Sequence, residues 1–200
     1  MLPTPQLVVM GKRPALGAVK TRLARGIGTV AAARFYRRTS LELLARVAVD
    51  PRWQTVLALT PDRAVHDEGV WPRAVPRIAQ GLGDLGARMG RLMRDLPPGP
   101  VVIIGSDIPD ISRGHIAEAF TALGNADAVF GPSEDGGYWL VGLRRRPRIV
   151  DIFGSVRWSS EYALADTLRN VEAAGLSVAR LQTLRDIDTG EDYARWRQER

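Results

Sequence analysis

The apolar run Val101–Ile104 constrains the fold of this 200-residue chain more than any other segment. Its four β-branched residues stand between prolines and a glycine, a pattern typical of a buried strand. The run ends in Gly105-Ser106-Asp107, so that a carboxylate follows the strand almost directly. Because α/β folds bind ligands beyond the carboxyl ends of their strands, Asp107 is the first candidate functional residue.

Short apolar segments alternate with helical patterns along the chain. Such alternation favours an α/β fold in which a mixed, mostly parallel sheet lies between two helix layers, a three-layer α/β/α sandwich. The 45% hydrophobic content is enough for one core, and no break in composition divides the sequence, so we expect a single domain over residues 1–200. The predicted strands are residues 6–10, 53–60, 76–79, 101–104, 126–130, 138–143 and 176–184, and the predicted helices are residues 30–49, 84–96, 112–123, 159–174 and a last one capped by Thr189.

Composition argues against several classes of protein. The chain has no cysteine, which rules out disulfides and thiolate metal sites. No apolar segment reaches the roughly 20 residues of a membrane span, and the first residues lack a secretory signal, so we expect a soluble cytoplasmic protein. The formal charge of +6 lies on scattered arginines without interleaved aromatic residues, so a nucleic-acid partner is not expected.

The loop after the first predicted strand contains both lysines of the chain, Lys12 and Lys20. Since every other basic residue except histidine is an arginine, a retained lysine indicates a position that needs a compact ammonium. Gly11 and the other glycine of the loop let the backbone approach an anion closely. Phosphate is the candidate ligand, and an ordinary cationic surface loop is the alternative.

A second glycine-rich loop precedes the predicted helix of residues 84–96. Its glycines, Gly83 among them, could bring backbone groups against a nucleotide base or phosphate at a helix N-terminus. Asp84 and Arg88 follow in the same segment and are included as candidate nucleotide-binding residues. A flexible connection capped by Asp84 is an equally good interpretation.

Carboxylates also follow predicted strands in pairs, and two of these pairs are Asp107 with Asp110 and Asp186 with Asp188. Mg²⁺ binds one or two carboxylates together with the phosphates of a substrate, so Asp107 alone could suffice, and Asp110 either joins it or supports the next helix. Asp186 and Asp188 alternate, which would place them on one side of a strand and facing one ion, although Asp188 could instead cap the last helix. Metal contact by Asp110 and Asp186 stays open.

The segment Gly131–Leu140 places Glu134 and Asp135 beside two glycines. As a site, it offers carboxylates that accept hydrogen bonds from an acceptor hydroxyl, which makes both acids candidate catalytic residues with Asp107. As local structure, it is a hairpin turn with Asp-Gly-Gly chemistry. Trp139 is expected in the core rather than as a stacking platform.

Taken together, six segments resemble a bacterial family of GT-A-fold glycosyltransferase-like proteins of the nucleotide-diphospho-sugar transferase superfamily, related to 2-phospholactate guanylyltransferase. The resemblance runs from about Val8 to Tyr193. It departs from the usual patterns in lacking Asp-x-Asp after the Val101–Ile104 strand and in having a proline-containing first loop. The segments are Gly11–Leu23, Gly83–Met89, Gly105–Asp110, Gly131–Leu140, Trp158–Ser159 and Asp186–Thr189.

The resemblance implies a nucleotide bound at the N-terminal half of the chain, with Lys12, Lys20 and Arg22 near its phosphates. It also implies a metal ion, Mg²⁺ or Mn²⁺, at Asp107, with Asp188 as a second ligand. The expected function is a metal-dependent transferase with a nucleotide-activated donor and a small-molecule acceptor. Sugar transfer from a nucleotide-sugar is the first expectation, because transfer to phosphorus usually recruits a cluster of cations. Guanylyltransferase-like transfer from a nucleoside triphosphate to a small phosphorylated acid, and nucleotide binding without catalysis, are the alternatives.

Overall fold

The computed structural model describes residues 3–199, which form one seven-stranded sheet covered by helices. In space the strands follow the order β3-β2-β1-β4-β6-β5-β7. Only β6 runs antiparallel to its neighbours among these strands, which confirms a mixed, mostly parallel sheet. The strands are β1 (Gln6–Lys12), β2 (Gln54–Thr60), β3 (Arg77–Ala79), β4 (Val101–Gly105), β5 (Ala128–Pro132), β6 (Tyr138–Leu143) and β7 (Val178–Arg180).

Helices cover both faces of the sheet, which confirms the three-layer architecture. Helices α2 (Thr29–Val47) and α4 (Arg113–Ala122) pack on one face, and α3 (Leu85–Asp95) and α5 (Ala163–Ala173) on the other. A smaller apolar cluster joins α2 to the short α1 (Thr21–Ile27) and to α6 (Gly190–Gln198). Within residues 3–199, no helix has both the length and the apolar character needed to cross a membrane.

The apolar cores on the two faces of the sheet explain why the central strands have continuous hydrophobic sequences. Successive side chains of a strand point to opposite faces, so Leu7 and Val9 enter the core under α2 while Val8 enters the core under α3. The same division separates Val102 and Ile104 from their neighbours in β4, which is buried between β1 and β6. The central positions of both strands therefore carry apolar side chains on both faces.

Some helix starts were predicted correctly and others were not. Ser112 and Thr189 each form a capping box at the start of α4 and α6. The helix predicted from Ser159 begins only at Ala163, because Ser159 has a left-handed backbone (φ 60°) that a helix cannot include. The predicted strand 176–184 is reduced to Val178–Arg180, and the seven residues of α1 were not predicted.

Candidate active site

A cleft of about 480 Å³ opens beyond the carboxyl ends of the parallel strands. Lys12 ends β1, Thr60 ends β2 and Asp107 follows β4, so these three residues meet at one edge of the sheet. Strand β6 is antiparallel and therefore contributes its first residue, Tyr138, to the same edge. Of the candidate residues predicted from the sequence, four line this cleft: Gly11, Lys12, Lys20 and Asp107.

Tyr36 joins the ends of two strands beneath the cleft. Its buried hydroxyl accepts a hydrogen bond from the Lys12 backbone N–H at 2.7 Å and lies 3.0 Å from Oγ of Ser106. Burial, with the nearby Asp107 carboxylate, raises the pKa of the Tyr36 hydroxyl. Sequence reasoning missed this residue, because one tyrosine within an amphipathic helix carries no signal of such a role.

Gln80 performs a similar role between the first strand and the second loop. Its buried side-chain amide donates to the carbonyl oxygens of Gly11 at 3.0 Å and Ala58 at 2.9 Å. Two neighbouring strand ends are thus fixed by one side chain, since a buried amide must satisfy its donors within the protein. This residue was also not predicted as part of the site.

The centre of the site is an ion-pair cluster around Lys20. Its ammonium, on a side chain only 4% exposed, lies 2.8 Å from Oδ2 of Asp107 and 2.7 Å from Oδ1 of Asp188. Arg22 pairs with the other oxygen of Asp188. Burial by itself lowers the pKa of an ammonium, but the two carboxylates outweigh that effect and hold the pKa of Lys20 above its usual range. Four residues predicted from the sequence therefore form one contact network.

A further carboxylate, Asp186, faces this cluster. Burial, together with the carboxylates of Asp107 and Asp135, raises its pKa to about 7, while Lys20 opposes that rise. Its Oδ1 atom is buried and accepts no hydrogen bond from residues 3–199. The carboxylate of Asp188 also helps to raise the pKa of Asp186, although the segment between them is not the strand that the sequence predicted.

The donor chemistry of the cluster fits a hard divalent cation. Mg²⁺ takes oxygen ligands and is usually bound through one or two carboxylates, with waters and phosphates completing its shell. Asp107 and Asp188 supply two such carboxylates, and the buried oxygen of Asp186 lies beside them without a donor. Within the described part of the chain, no three acidic or histidine side chains converge as a complete metal cage. A metal here would thus depend on the phosphates of a ligand.

The second loop is held by its own side chains. Asp84 accepts a hydrogen bond from the Ala87 N–H at 2.8 Å, which confirms the capping interpretation. Arg88 donates to the Gly83 carbonyl at 2.9 Å, and Arg91 donates to the Leu82 carbonyl at 2.9 Å. The helix that follows lines the cleft through Leu85 and Met89. Nucleotide contact by Gly83, Asp84 and Arg88 stays a prediction.

The turn between β5 and β6 is the expected Asp-Gly-Gly hairpin. Oδ1 of Asp135 accepts the Gly137 N–H at 3.0 Å, and Glu134 is exposed at the tip. Gly136 has a positive φ of 83°, and a Cβ there would lie 2.2 Å from the carbonyl oxygen of Glu161. Trp139 is 3% exposed, which confirms its place in the core.

The candidate residues thus fall into two groups. Asp135 acts on the Lys20 cluster through its charge, whereas Glu134 and the residues of the second loop lie outside that contact network. Asp110 is exposed and acts on His115 of α4, so it lies on the side of β4 that leads into the helix. Metal contact by Asp110 stays a prediction.

Residues 43–160 match the model of the family described as "uncharacterized protein conserved in bacteria (DUF2064)". The 2-phospho-L-lactate guanylyltransferase of Methanopyrus kandleri is 29% identical over 180 residues, which cover 88% of this chain and 83% of that protein. Both similarities extend over most of the strands that build the cleft.

Two solved structures extend the comparison. A protein of Desulfovibrio desulfuricans G20, provisionally assigned as a nucleotide-diphospho-sugar transferase, is 30% identical and superposes with a TM-score of 0.84 over 94% of this chain and 84% of its own. Rv0371c of Mycobacterium tuberculosis, crystallised with manganese, has a TM-score of 0.56 at 15% identity, with 98% of each chain covered, and supports the fold alone. The named transferases among these relatives agree with the family that the sequence motifs resemble.

Proposed function

This chain belongs to the bacterial DUF2064 family, and we propose that it is a divalent-metal-dependent nucleotidyltransferase that acts on a small phosphorylated acid. The nucleotidyl group comes from a nucleoside triphosphate bound in the cleft at the strand ends. The name of the Methanopyrus relative supports both the reaction and the class of acceptor. This choice departs from the sugar transfer first expected from the sequence.

The observation that carries the proposal is the buried Lys20 ammonium beside Asp107 at the floor of the cleft. The sequence argued against transfer to phosphorus because a cluster of cations was not evident in the first loop. In the folded chain, that loop brings Lys12 and Lys20 to one cleft and Arg22 to the same carboxylate as Lys20. Positive side chains grouped in this way suit the negative charge that builds up on a reacting triphosphate.

In the reaction, an oxygen of the acceptor attacks the α-phosphorus, the bond from that phosphorus to the bridging oxygen breaks, and pyrophosphate leaves. Asp107 and Asp188 would hold the metal ion, which neutralises charge on the phosphate oxygens. Lys12 and Lys20 bind phosphate oxygens as compact cations. Asp135 and Asp186 add negative charge on the same side as the carboxylates that would hold the metal. Gln80 and Tyr36 fix the strand ends that carry these groups.

A coupled assay for pyrophosphate tests the proposal. The protein is incubated with GTP, CTP, UTP or ATP, with Mg²⁺, and with a panel of small phosphorylated acids, and pyrophosphate release is followed. We expect release with one nucleotide, dependent on acceptor and abolished by chelation of the metal. Binding of a nucleotide without any turnover would instead support the non-catalytic alternative.

Asp107→Asn provides the decisive variant. Because a metal at the developing charge contributes several kcal/mol, we expect kcat to fall by about 100-fold or more. Asp95→Asn is the control, since it makes the same change at an exposed position at the end of α3 that does not line the cleft. Equal activity of Asp107→Asn and the wild type would overturn the proposal.

Sugar transfer remains a second candidate because of the carboxylates around Asp186. A sugar that loses its leaving group develops positive charge, which nearby carboxylates such as Asp135 and Asp186 stabilise. The assignment of the Desulfovibrio structure also favours it. The two reactions differ in their product, because sugar transfer releases a nucleoside diphosphate from a nucleotide-sugar. A parallel assay with UDP-, GDP- and ADP-sugars therefore separates them.

A further inference from the structure

Lys20 occupies the position between the two carboxylates that a metal ion would need. Its ammonium contacts one oxygen of Asp107 at 2.8 Å and one of Asp188 at 2.7 Å. Mg²⁺ bonds oxygens at about 2.0–2.1 Å, so an ion held by both carboxylates would lie within the space of that nitrogen. An ammonium and a dication cannot share this position.

The charges around Lys20 favour exchange for an ion of higher charge. The carboxylates of Asp107 and Asp188 contact the ammonium and Asp186 lies beside them, against the ammonium and one guanidinium. Lys20 leaves one oxygen of Asp186 buried without a hydrogen bond from any described residue. A dication compensates more of this negative charge than an ammonium does.

The cleft offers space for the Lys20 ammonium after its displacement. Lys20 lines the cleft, together with Lys12, and its side chain is long and flexible. Its side chain makes no cap hydrogen bond to α1, so the side chain can turn while the helix stays in place. Because Lys20 lines the cleft, a rotation away from Asp188 would leave the ammonium beside the space proposed for the donor phosphates.

We propose that Lys20 is a resident cation that the catalytic metal displaces, so that metal entry transfers the ammonium from Asp107 and Asp188 to the phosphates of the donor. This inference rests on the proposed function for the identity of the metal and the donor. It follows that the metal binds weakly alone and more tightly with nucleotide, because the triphosphate offers Lys20 new partners. Metal and nucleotide are then thermodynamically coupled through this side chain, in addition to the phosphates that complete the metal's shell.

Binding of Mn²⁺ without nucleotide tests this competition, with the electron paramagnetic resonance signal of free Mn²⁺ as the readout. We expect Lys20→Met to bind Mn²⁺ at least about tenfold more tightly than the wild type, and to gain less affinity from a non-hydrolysable triphosphate than the wild type does, although the phosphates still bind the ion directly. Arg25→Met is the matched control: it removes one positive charge from an exposed position of α1, and we expect its affinity to stay near that of the wild type. Circular dichroism checks that each variant is folded.

The wild-type protein offers a second readout that needs no variant to fold. Lys12 and Lys20 are the only lysines in the sequence, so protein labelled with ¹³C-lysine gives two sets of side-chain resonances. We expect Mg²⁺ to shift the Lys20 Cε resonance strongly and the Lys12 resonance little.

The outcomes distinguish the two proposals. Equal or weaker Mn²⁺ affinity in folded Lys20→Met, or a Lys20 resonance that stays in place when the site is saturated, overturns the displacement and leaves the proposed function standing. If neither the wild type nor the two variants bind Mn²⁺ even with the triphosphate, the metal-dependent function is overturned, and the displacement is overturned with it.

Discussion

Single side chains, rather than backbone alone, set the geometry of this cleft. Tyr36 and Gln80 each form hydrogen bonds to two separate strand ends or loops. Lys20 forms ion pairs with Asp107 and Asp188, which are 81 positions apart in the sequence. The partners of each side chain come from separate parts of the chain, so no local sequence pattern predicts these contacts. The charged members were predicted because strand ends collect ligand-binding residues, whereas the neutral members were not.

Removal of the Tyr36 hydroxyl tests its role as a tie between β1 and β4. We expect Tyr36→Phe to lower the free energy of unfolding by about 1–2 kcal/mol, because the Lys12 N–H and Ser106 lose a buried partner. Urea unfolding measures the change. Tyr162→Phe, at an exposed tyrosine, is the control. An equal change in the free energy of unfolding in both variants would contradict a specific stabilising role of the Tyr36 hydroxyl.

At the scale of elements, the sequence predicted what depends on local chemistry. The burial of Val101–Ile104, the caps at Ser112 and Thr189, and the Asp-Gly-Gly hairpin all follow from neighbouring residues. Helix α1 could not be predicted, because its seven residues contain one buried side chain, Leu23, and so lack a clear apolar period. Tertiary contacts with α2 and α6 stabilise it instead.

The segment before α5 depends on one ion-pair cluster, which gives it a defined dependence on pH. Asp166 is buried and accepts from the backbone N–H of Arg157 at 3.0 Å and twice from its guanidinium at 2.8 Å, while Arg169 pairs with the same carboxylate. These hydrogen bonds, led by those from the Arg157 side chain, hold the pKa of Asp166 well below its usual range.

A carboxylate with a lowered pKa stabilises the fold above its ordinary pKa of about 3.9 and loses that contribution as the pH falls further. We therefore expect Asp166→Asn to lower the melting temperature clearly at pH 7, and the gap to the wild type to narrow at pH 3. Thermal unfolding at the two pH values measures both differences. Glu172→Gln, at an exposed position of the same helix, should change little, and a gap for Asp166→Asn that does not depend on pH would contradict the assignment.

For the whole molecule, the order of strands decides which loops meet. The order β3-β2-β1-β4 brings the first loop, the second loop and the Asp107 segment to one edge, and the reversed β6 adds its first residue there. Sequence reasoning reached the sandwich and the mostly parallel sheet through the alternation of elements. It could not give the path of the C-terminal segment, which returns Asp186 and Asp188 to the start of α1 without forming a strand.

The position of the metal is the most direct test of this view of the molecule. Crystals grown with Mn²⁺ and a non-hydrolysable nucleoside triphosphate would give an anomalous difference map at the manganese edge. We expect a peak bonded to oxygens of Asp107 and Asp188 and to the phosphates of the nucleotide. A nucleotide bound in the cleft with no peak, or with a peak that neither carboxylate reaches, would contradict the proposed site.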